Sequence, residues 1–387
     1  MRLTVVNVAF PFAPVTRDPV GGAEQVLAHL DRALVAAGHQ SIVIAAEGSD
    51  TAGRLVAMPS ELEPSSELAR LRMYDAVRNA LGKLLREEAI DVVHLHGVDF
   101  HAYLPPDGPP VLVTLHLPLE WYPQRALNSA RADTWLLPVS QAQADRAGAG
   151  LRFLPPIRNG VEMRARSDVK KRRFALMLGR ICPEKGFHEA LRAAKLADMP
   201  LLLAGVVFPW AEHELYFETE ILTQLDARRR WIGPVTGVRK HRLLAAASCV
   251  LVPSLANETS SLVAMEGLAA GTPVIAYNRG ALPEIVEHGV TGYIVRDAVE
   301  MADAMRAIDR ISPEGCRQAA RKRFSLERSM AAYLQLYANL SCSARSAAGS
   351  HADSDRRGSG PAEARVVRSV HAPSRDHSGG IRASAAG

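Results

Sequence analysis

The chain has 387 residues, 48% hydrophobic and 22% charged, enough for two domains with separate cores. After residue 340 seven arginines stand against four acids, so of the net charge of +5 that tail carries +3 and the rest only +2. A pI near 9.1 is then no sign of a nucleic-acid partner. No apolar run approaches the ~20 residues of a membrane span, and Cys182, Cys249, Cys316 and Cys342 form no Cys-x-x-Cys, which predicts free thiols in a reducing, cytoplasmic compartment.

Residues 3–10 predict a first strand and not a signal peptide, because a single Arg precedes a short apolar run broken by Asn7. A loop with three prolines and the pair Gly21-Gly22 leads into a helix over 23–37 that stops at Gly38. A second strand spans 41–46. Glu47 follows where a dinucleotide fold holds a ribose-binding acid, but the first turn lacks Gly-x-Gly-x-x-Gly and is too long for a dehydrogenase. Residues 67–88 predict an amphipathic helix. Its mixed charges suit a solvated face better than one lying peripherally on the inner face of a membrane, which stays the alternative. Strands follow at 91–96, 111–116 and 136–139. Ser140 with Gln143 has the pattern of a capping box, a structural role.

Beyond Arg158-Asn159-Gly160-Val161, the basic run 170–173 predicts a solvated linker, and a second βα alternation begins. Strands are expected at 174–178, 200–204 and 231–233, with helices at 187–197, 212–227 and 239–247. The stretch 249–276 reads strand, helix over 260–270, strand, a βαβ unit that implies a parallel sheet. A strand at 293–295 and helices over 298–339 complete it. Two successive series of this kind predict an α/β protein of two Rossmann-like, doubly wound domains facing across a cleft, divided near residue 165. From Ser341 the chain is Ser-, Ala-, Gly- and Arg-rich without an aromatic residue, which predicts a disordered tail over 341–387.

Ligands of parallel sheets sit beyond the carboxyl ends of the strands. That places Asn257, Glu258, Thr259, Ser260 and Ser261 at the mouth of a site, with free helix amides after Glu258 suited to a phosphate. Eight residues on one helix amount to about 80° of rotation and roughly 12 Å of rise, so Glu258 and Glu266 would not share one proton or one metal. From spacing alone they are either two contacts to one extended ligand or a loop acid plus a solvated helix acid. Gly179-Arg180 and Lys185-Gly186 set two cations between a strand and a helix. His94 and His96 form His-x-His, but no acid or cysteine partner is evident and no metal is expected.

Glu258, seven residues, Glu266 and then Ala-Ala-Gly-Thr-Pro-Val resembles the E-x7-E signature of retaining glycosyltransferases, family 4 in particular. The element at 179–186 resembles that family's Gly-Arg-x4-Lys-Gly. The resemblance spans about residues 1–335, most closely 174–295. It implies the GT-B architecture: a first, acceptor-side domain over 1–165, a nucleotide-sugar domain over 166–311, and a helical crossover over 312–340 that packs back on the first. The implied reaction moves a hexosyl group from a nucleotide sugar, UDP-glucose by default, to a glycan, lipid or small-molecule acceptor. It would proceed with retention and without metal or cofactor.

By that resemblance Arg180, Lys185, Glu258 and His116 form the catalytic set. The two cations would stabilise the leaving diphosphate, and Glu258 would bind a hydroxyl of the donor sugar that His116 faces. Gly21 and Gly22 would let the backbone approach the donor closely, and Gly233 would frame the base. Glu266 would hold the ribose, and Ser261, Leu262 and Val263 would offer amides to the phosphates. Apart from the resemblance, His96 is expected to line the cleft, and Pro118, Trp121 and Tyr122 either stack on a sugar or lipid headgroup or serve as packing. One departure is Ser260-Ser261, where the family usually carries Phe-Gly. Two other functions stay open: a nucleotide-sugar 2-epimerase of the same fold, whose proton-abstracting carboxylate is not evident, and a catalytically silent nucleotide-sugar-binding protein.

Overall fold

Short runs of Val, Ile and Leu with almost no polar interruption build two parallel six-stranded sheets, buried on both faces. In a computed structural model of the chain, residues 1–357 are described except 17, 18, 20, 60–65, 148–150, 152 and 165–168, with side chains as far as 346. The first sheet contains β1 (Thr4–Val8), β2 (Gln40–Ala46), β3 (Arg54–Met58), β4 (Val92–Leu95), β5 (Val111–Leu115) and β6 (Thr134–Pro138), in the order β3-β2-β1-β4-β5-β6. The second contains β7 (Ala175–Leu178), β8 (Leu201–Ala204), β9 (Arg229–Trp231), β10 (Cys249–Val252), β11 (Val274–Tyr277) and β12 (Gly292–Val295), in the order β12-β11-β10-β7-β8-β9. Each order reverses direction once, at β1/β4 and at β7/β10. Those reversals open crevices at the carboxyl ends of the strands.

Helices α1 (Gly22–Ala36), α2 (Glu67–Glu87), α3 (Gln124–Leu127) and α4 (Gln141–Asp145) accompany the first sheet. The second carries α5 (Phe187–Leu196), α6 (Ala211–Tyr216), α7 (Gly237–Ala246), α8 (Leu262–Ala269), α9 (Leu282–Ile285), α10 (Ala298–Arg306) and α11 (Pro313–Phe324); α12 (Leu326–Arg357) ends the described chain. The elements depart from expectation in three places, one being β9, which covers Arg229–Trp231 and not 231–233. β3 has no counterpart in the predicted elements, because this edge strand is half-exposed and shows no apolar period. The helix expected over 212–227 stops being α-helical at Tyr216 and continues as a π turn and a 3-10 turn to Gln224.

The two domains are joined twice, and the two connections lie side by side. Val161 N donates to Phe324 O (2.8 Å) and Leu326 N to Val161 O (3.1 Å). A Cβ on Gly160 would stand 2.7 Å from Leu326 Cα, so only glycine lets these strands of chain touch. The crossover predicted over 312–340 is narrower: Cys316, Ala320 and Phe324 of α11 belong to the core of the second domain, and only α12 crosses. Its Met330, Tyr333, Tyr337 and Leu340 pack with Leu3, Val5, Leu34, Leu112 and Leu137 of the first. His94 is part of this packing, with Nδ1 2.7 Å from Tyr337 Oη and Nε2 2.7 Å from Thr114 Oγ1, and so stands apart from any site, as expected.

The chain divides into one unit over Met1–Ala344 and a second from Arg345 onward. Helix continues to Arg357, beyond residue 341 where order was expected to end, since an established helix adds Ala-rich residues without a new nucleus. The remainder of that predicted tail, 358–387, lies outside the described residues. The linker run 170–173 is less free than expected, because Lys171 Nζ donates to Ala247 O (3.0 Å) and to Thr272 Oγ1. Among the described residues no helix is long and apolar enough to cross a membrane.

Candidate functional site

The carboxyl ends of β1, β5, β7 and β10 bring together loops from both domains. The loop after β7 presents Lys185, whose Nζ lies 2.6 Å from Glu258 Oε1; Ser254 Oγ donates to the same oxygen. Glu258 is in a loop and not on the helix. α8 begins at Leu262, capped by Ser261, whose Oγ accepts from Ala264 N at 3.3 Å. The helical estimate of how Glu258 and Glu266 are spaced therefore fails, and Ser261 has a structural use at the position of the family's usual glycine. Glu266, 8% exposed on α8, is not a solvated acid: Lys240 Nζ of α7 lies 2.8 Å from its Oε1. Gln25 Nε2 of α1, in the other domain, donates to that oxygen at 3.0 Å. Sequence reasoning missed Lys240 and Gln25, which are 26 and 241 positions away and carry no local signal.

The N-termini of α1 and α8 approach each other across the domains. A Cβ on Gly22 would lie 3.6 Å from Leu262 Cδ1, and Val263 follows in the first turn of α8. A Cβ on Gly21 would overlap the carboxylate of Glu24, another residue the sequence did not single out although it stands in the first turn of α1. Burial raises the pKa of Glu24; its own backbone amide and the charge of Arg180 partly offset that. The Arg180 guanidinium is stacked 5.5 Å from the Phe208 ring and 5.7 Å from that of Trp210. Its Nε is buried and has no hydrogen-bond partner among the described residues. Gly233 turns the chain after β9 at φ +72°, and its carbonyl accepts from Gly205 N.

His116, at the end of β5, is half-buried. Its backbone carbonyl accepts from Thr259 Oγ1 of the second domain at 2.7 Å, and its Nε2 lies 3.0 Å from Nδ1 of His96. His96 is 3% exposed, so it offers the cleft little surface, contrary to the lining role expected of it. Gln143 Nε2 ties down this strand end through Leu115 O (2.9 Å) and Leu117 O (3.0 Å). Its Oε1 accepts from Val139 N, one residue before the amide a capping box would use. Tyr122 is buried, its hydroxyl accepting from Leu117 N; it packs and does not stack on a ligand, whereas Trp121 is exposed. A cleft between the domains is lined by Pro118, Glu120, Gln143, Asn257, Glu258 and Thr259. Glu284 of α9 links the domains by accepting from the amides of Gln141 (3.2 Å) and Ala142 in the first turn of α4.

Burial lowers the pKa of His116 to about 4 and those of His94 and His96 well below the usual value. Burial thus favours the neutral form of these rings at pH 7, in which His116 can donate or accept a hydrogen bond. The unfolded chain binds protons near pH 6.5, so between that value and 4 it holds more protons than the folded one, and stability falls as pH falls. His116 alone should cost about 2 kcal/mol between pH 7.5 and pH 5. Urea unfolding at the two pH values measures this, and His116→Asn should reduce the difference by His116's share while His94 and His96 keep theirs. Equal stabilities in the parent protein would refute the burial of these rings.

Residues 20–156 match the family Glycosyltransferase Family 4, and residues 161–325 match Glycosyl transferases group 1. The chain is 26% identical over 337 residues to a phosphatidyl-myo-inositol mannosyltransferase of Mycolicibacterium smegmatis, covering 76% of this chain and 81% of that one. Among solved structures it resembles sucrose-phosphate synthase of Thermosynechococcus elongatus, with a TM-score of 0.71 at 19% identity over 88% of this chain and 100% of the other. Anabaena HepE, solved with UDP and glucose, gives a TM-score of 0.66 at 19% identity over 87% and 100%. At these identities both structures establish the two-domain GT-B fold.

Proposed function

Since the chain belongs to the group 1, family 4 glycosyltransferases, we propose that it moves a hexosyl group from a nucleoside-diphosphate sugar, UDP-glucose first, to an acceptor hydroxyl with retention of configuration. The observation that carries this is the contact of Lys185 with Glu258, a cleft-lining residue just before α8. Lys185 is on the same loop as Arg180, whose charge acts on Glu24 in the first turn of α1. Arg180 and Lys185 would take the charge that develops on the diphosphate, in place of a metal there. The amides of Ser261, Leu262 and Val263 would hold phosphate oxygens beside Gly21 and Gly22. Glu266, oriented by Lys240 and Gln25, would accept from the ribose hydroxyls, and Gly233 would border the base. Glu258 would hold a sugar hydroxyl near His116. The bond from C1 to the diphosphate oxygen breaks as the acceptor oxygen bonds to C1 on the same face, and the acceptor's proton passes to the departing phosphate.

HepE, solved with UDP and glucose, supports the choice of donor. The acceptor class is open among glycans, lipids and small polar molecules; the mannosyltransferase relative is named for phosphatidyl-myo-inositol. Cys182, Cys249 and Cys316 are buried free thiols, which suits the cytoplasmic location proposed for the enzyme. Leu68 and Leu71, exposed on α2, support peripheral contact with a membrane. The test is a thermal-shift series with UDP, GDP, ADP, dTDP and NAD. One nucleoside diphosphate, UDP first, should stabilise the protein by about 2.7 kcal/mol at 100 times its dissociation constant. No shift with any diphosphate would sink the transfer reading, and a shift with NAD alone would move the protein to another class.

A further inference from the structure

Between Arg180 and Lys185 the same loop carries two residues that the donor site does not use. Cys182 is fully buried and Glu184 is half-buried; both face His213 of α6, which is 4% exposed. A ligand atom from each of the three lies within 4.8 Å of the others. Two of the polar groups lack a partner: His213 Nδ1 and Glu184 Oε2 are buried and make no hydrogen bond among the described residues. The thiol's contacts are weak ones: Sγ lies 3.5 Å from the Arg180 carbonyl oxygen and beside the Glu184 carboxylate. An unpartnered imidazole nitrogen and an unpartnered carboxylate oxygen, buried beside a thiol, are costly unless something joins them.

We propose that Cys182, Glu184 and His213 form a binding site for a divalent metal of the zinc class. Thiolate, imidazole and carboxylate together suit zinc, whereas magnesium and calcium select all-oxygen sets. Tetrahedral ligands of zinc stand about 3.5 Å apart, so the three groups need to close by roughly an ångström, within the reach of side-chain rotation. Three protein ligands leave a fourth position for water. On binding, the Cys182 thiol gives up its proton to solvent as the sulfur–metal bond forms.

The site is a clip and not part of the transfer chemistry. His213 contacts the rings that carry Arg180: its ring centroid lies 4.8 Å from that of Trp210 and 6.4 Å from that of Phe208. A metal here fastens α6 to the loop bearing Arg180 and Lys185, and it holds Trp210 and Phe208 beneath the guanidinium. This inference does not depend on which donor, if any, the protein uses.

The full chain, stripped with chelator and dialysed, is titrated with Co²⁺ and then with Zn²⁺. A thiolate-to-cobalt charge-transfer band with visible d–d bands should saturate at one Co²⁺ per chain and disappear as Zn²⁺ displaces it. Both signals should be lost in Cys182→Ser and in His213→Gln and retained in Cys342→Ser. Zn²⁺ should raise the unfolding midpoint of the parent protein but not of the two ligand variants. If Cys182→Ser does not fold, His213→Gln, altered outside the sheets, decides by itself. Absence of the charge-transfer band in the parent protein, or a band that survives in His213→Gln, overturns the proposal.

Discussion

Arg180→Ala should lower turnover of the donor sugar about 10²–10³-fold, the cost of removing one group that stabilises charge appearing only in the transition state. The side chain is already aimed by Phe208 and Trp210 and has an unpartnered Nε, so little reorganisation is needed when the diphosphate arrives. Its removal breaks no ion pair among the described residues: Glu258 is held by Lys185 and Glu266 by Lys240. Folding should therefore be little changed while kcat falls. Arg180→Lys should recover only part of the rate, because an ammonium lacks the planar fork that meets two phosphate oxygens at once. Steady-state kinetics with the nucleotide sugar identified by thermal shift decide this. Turnover of the alanine variant within threefold of the parent would remove Arg180 from the mechanism.

Gly186→Ala should produce a large loss of stability. Gly186 has φ +69°, in the left-handed region, and a Cβ there would overlap the carbonyl oxygen of Pro253. That oxygen belongs to the end of β10, and the Glu184 carbonyl of the same loop accepts from Leu255 N at 2.8 Å. Neither backbone can yield without moving the other. Strain of the left-handed residue and overpacking together should cost about 2–4 kcal/mol. Activity should fall with stability, because Lys185 and Glu258 lie on the two segments that must separate. A shift in unfolding free energy below about 1 kcal/mol would show that the contact relaxes freely.

Fold and site differ in how far they could be read in advance. The strands of both sheets, apart from the edge strands β3 and β9, show as apolar runs because a parallel strand buried on both faces leaves little place for polar residues. α2 falls within a residue of its expected limits for a related reason: Met73, Val77, Leu81 and Leu84 form one buried stripe. The start of α8 was misplaced because the segment 258–261 is polar with no apolar period, and the cap at Ser261 appears only once Ala264 N is seen to bond it. α11 was assigned to the crossover because helical periodicity records that a face is buried but not against which domain.

The sequence alone determined the two βα series, the position of Arg180 and Lys185 after a strand, and the resemblance carried by Glu258 and Glu266; the break expected near residue 165 lies outside the described residues. These are local properties: burial along each element sets its composition, and a loop between strand and helix is legible from its neighbours. Only the tertiary structure decided that Glu266 meets Lys240 and Gln25, that Lys185 meets Glu258, and that His94 belongs to the core under α12 while His116 reaches the cleft. It alone brought Cys182 and Glu184 to His213. Such pairings depend on how layers and domains pack, and a charged or polar side chain carries no mark in the sequence of the distant partner that packing will supply.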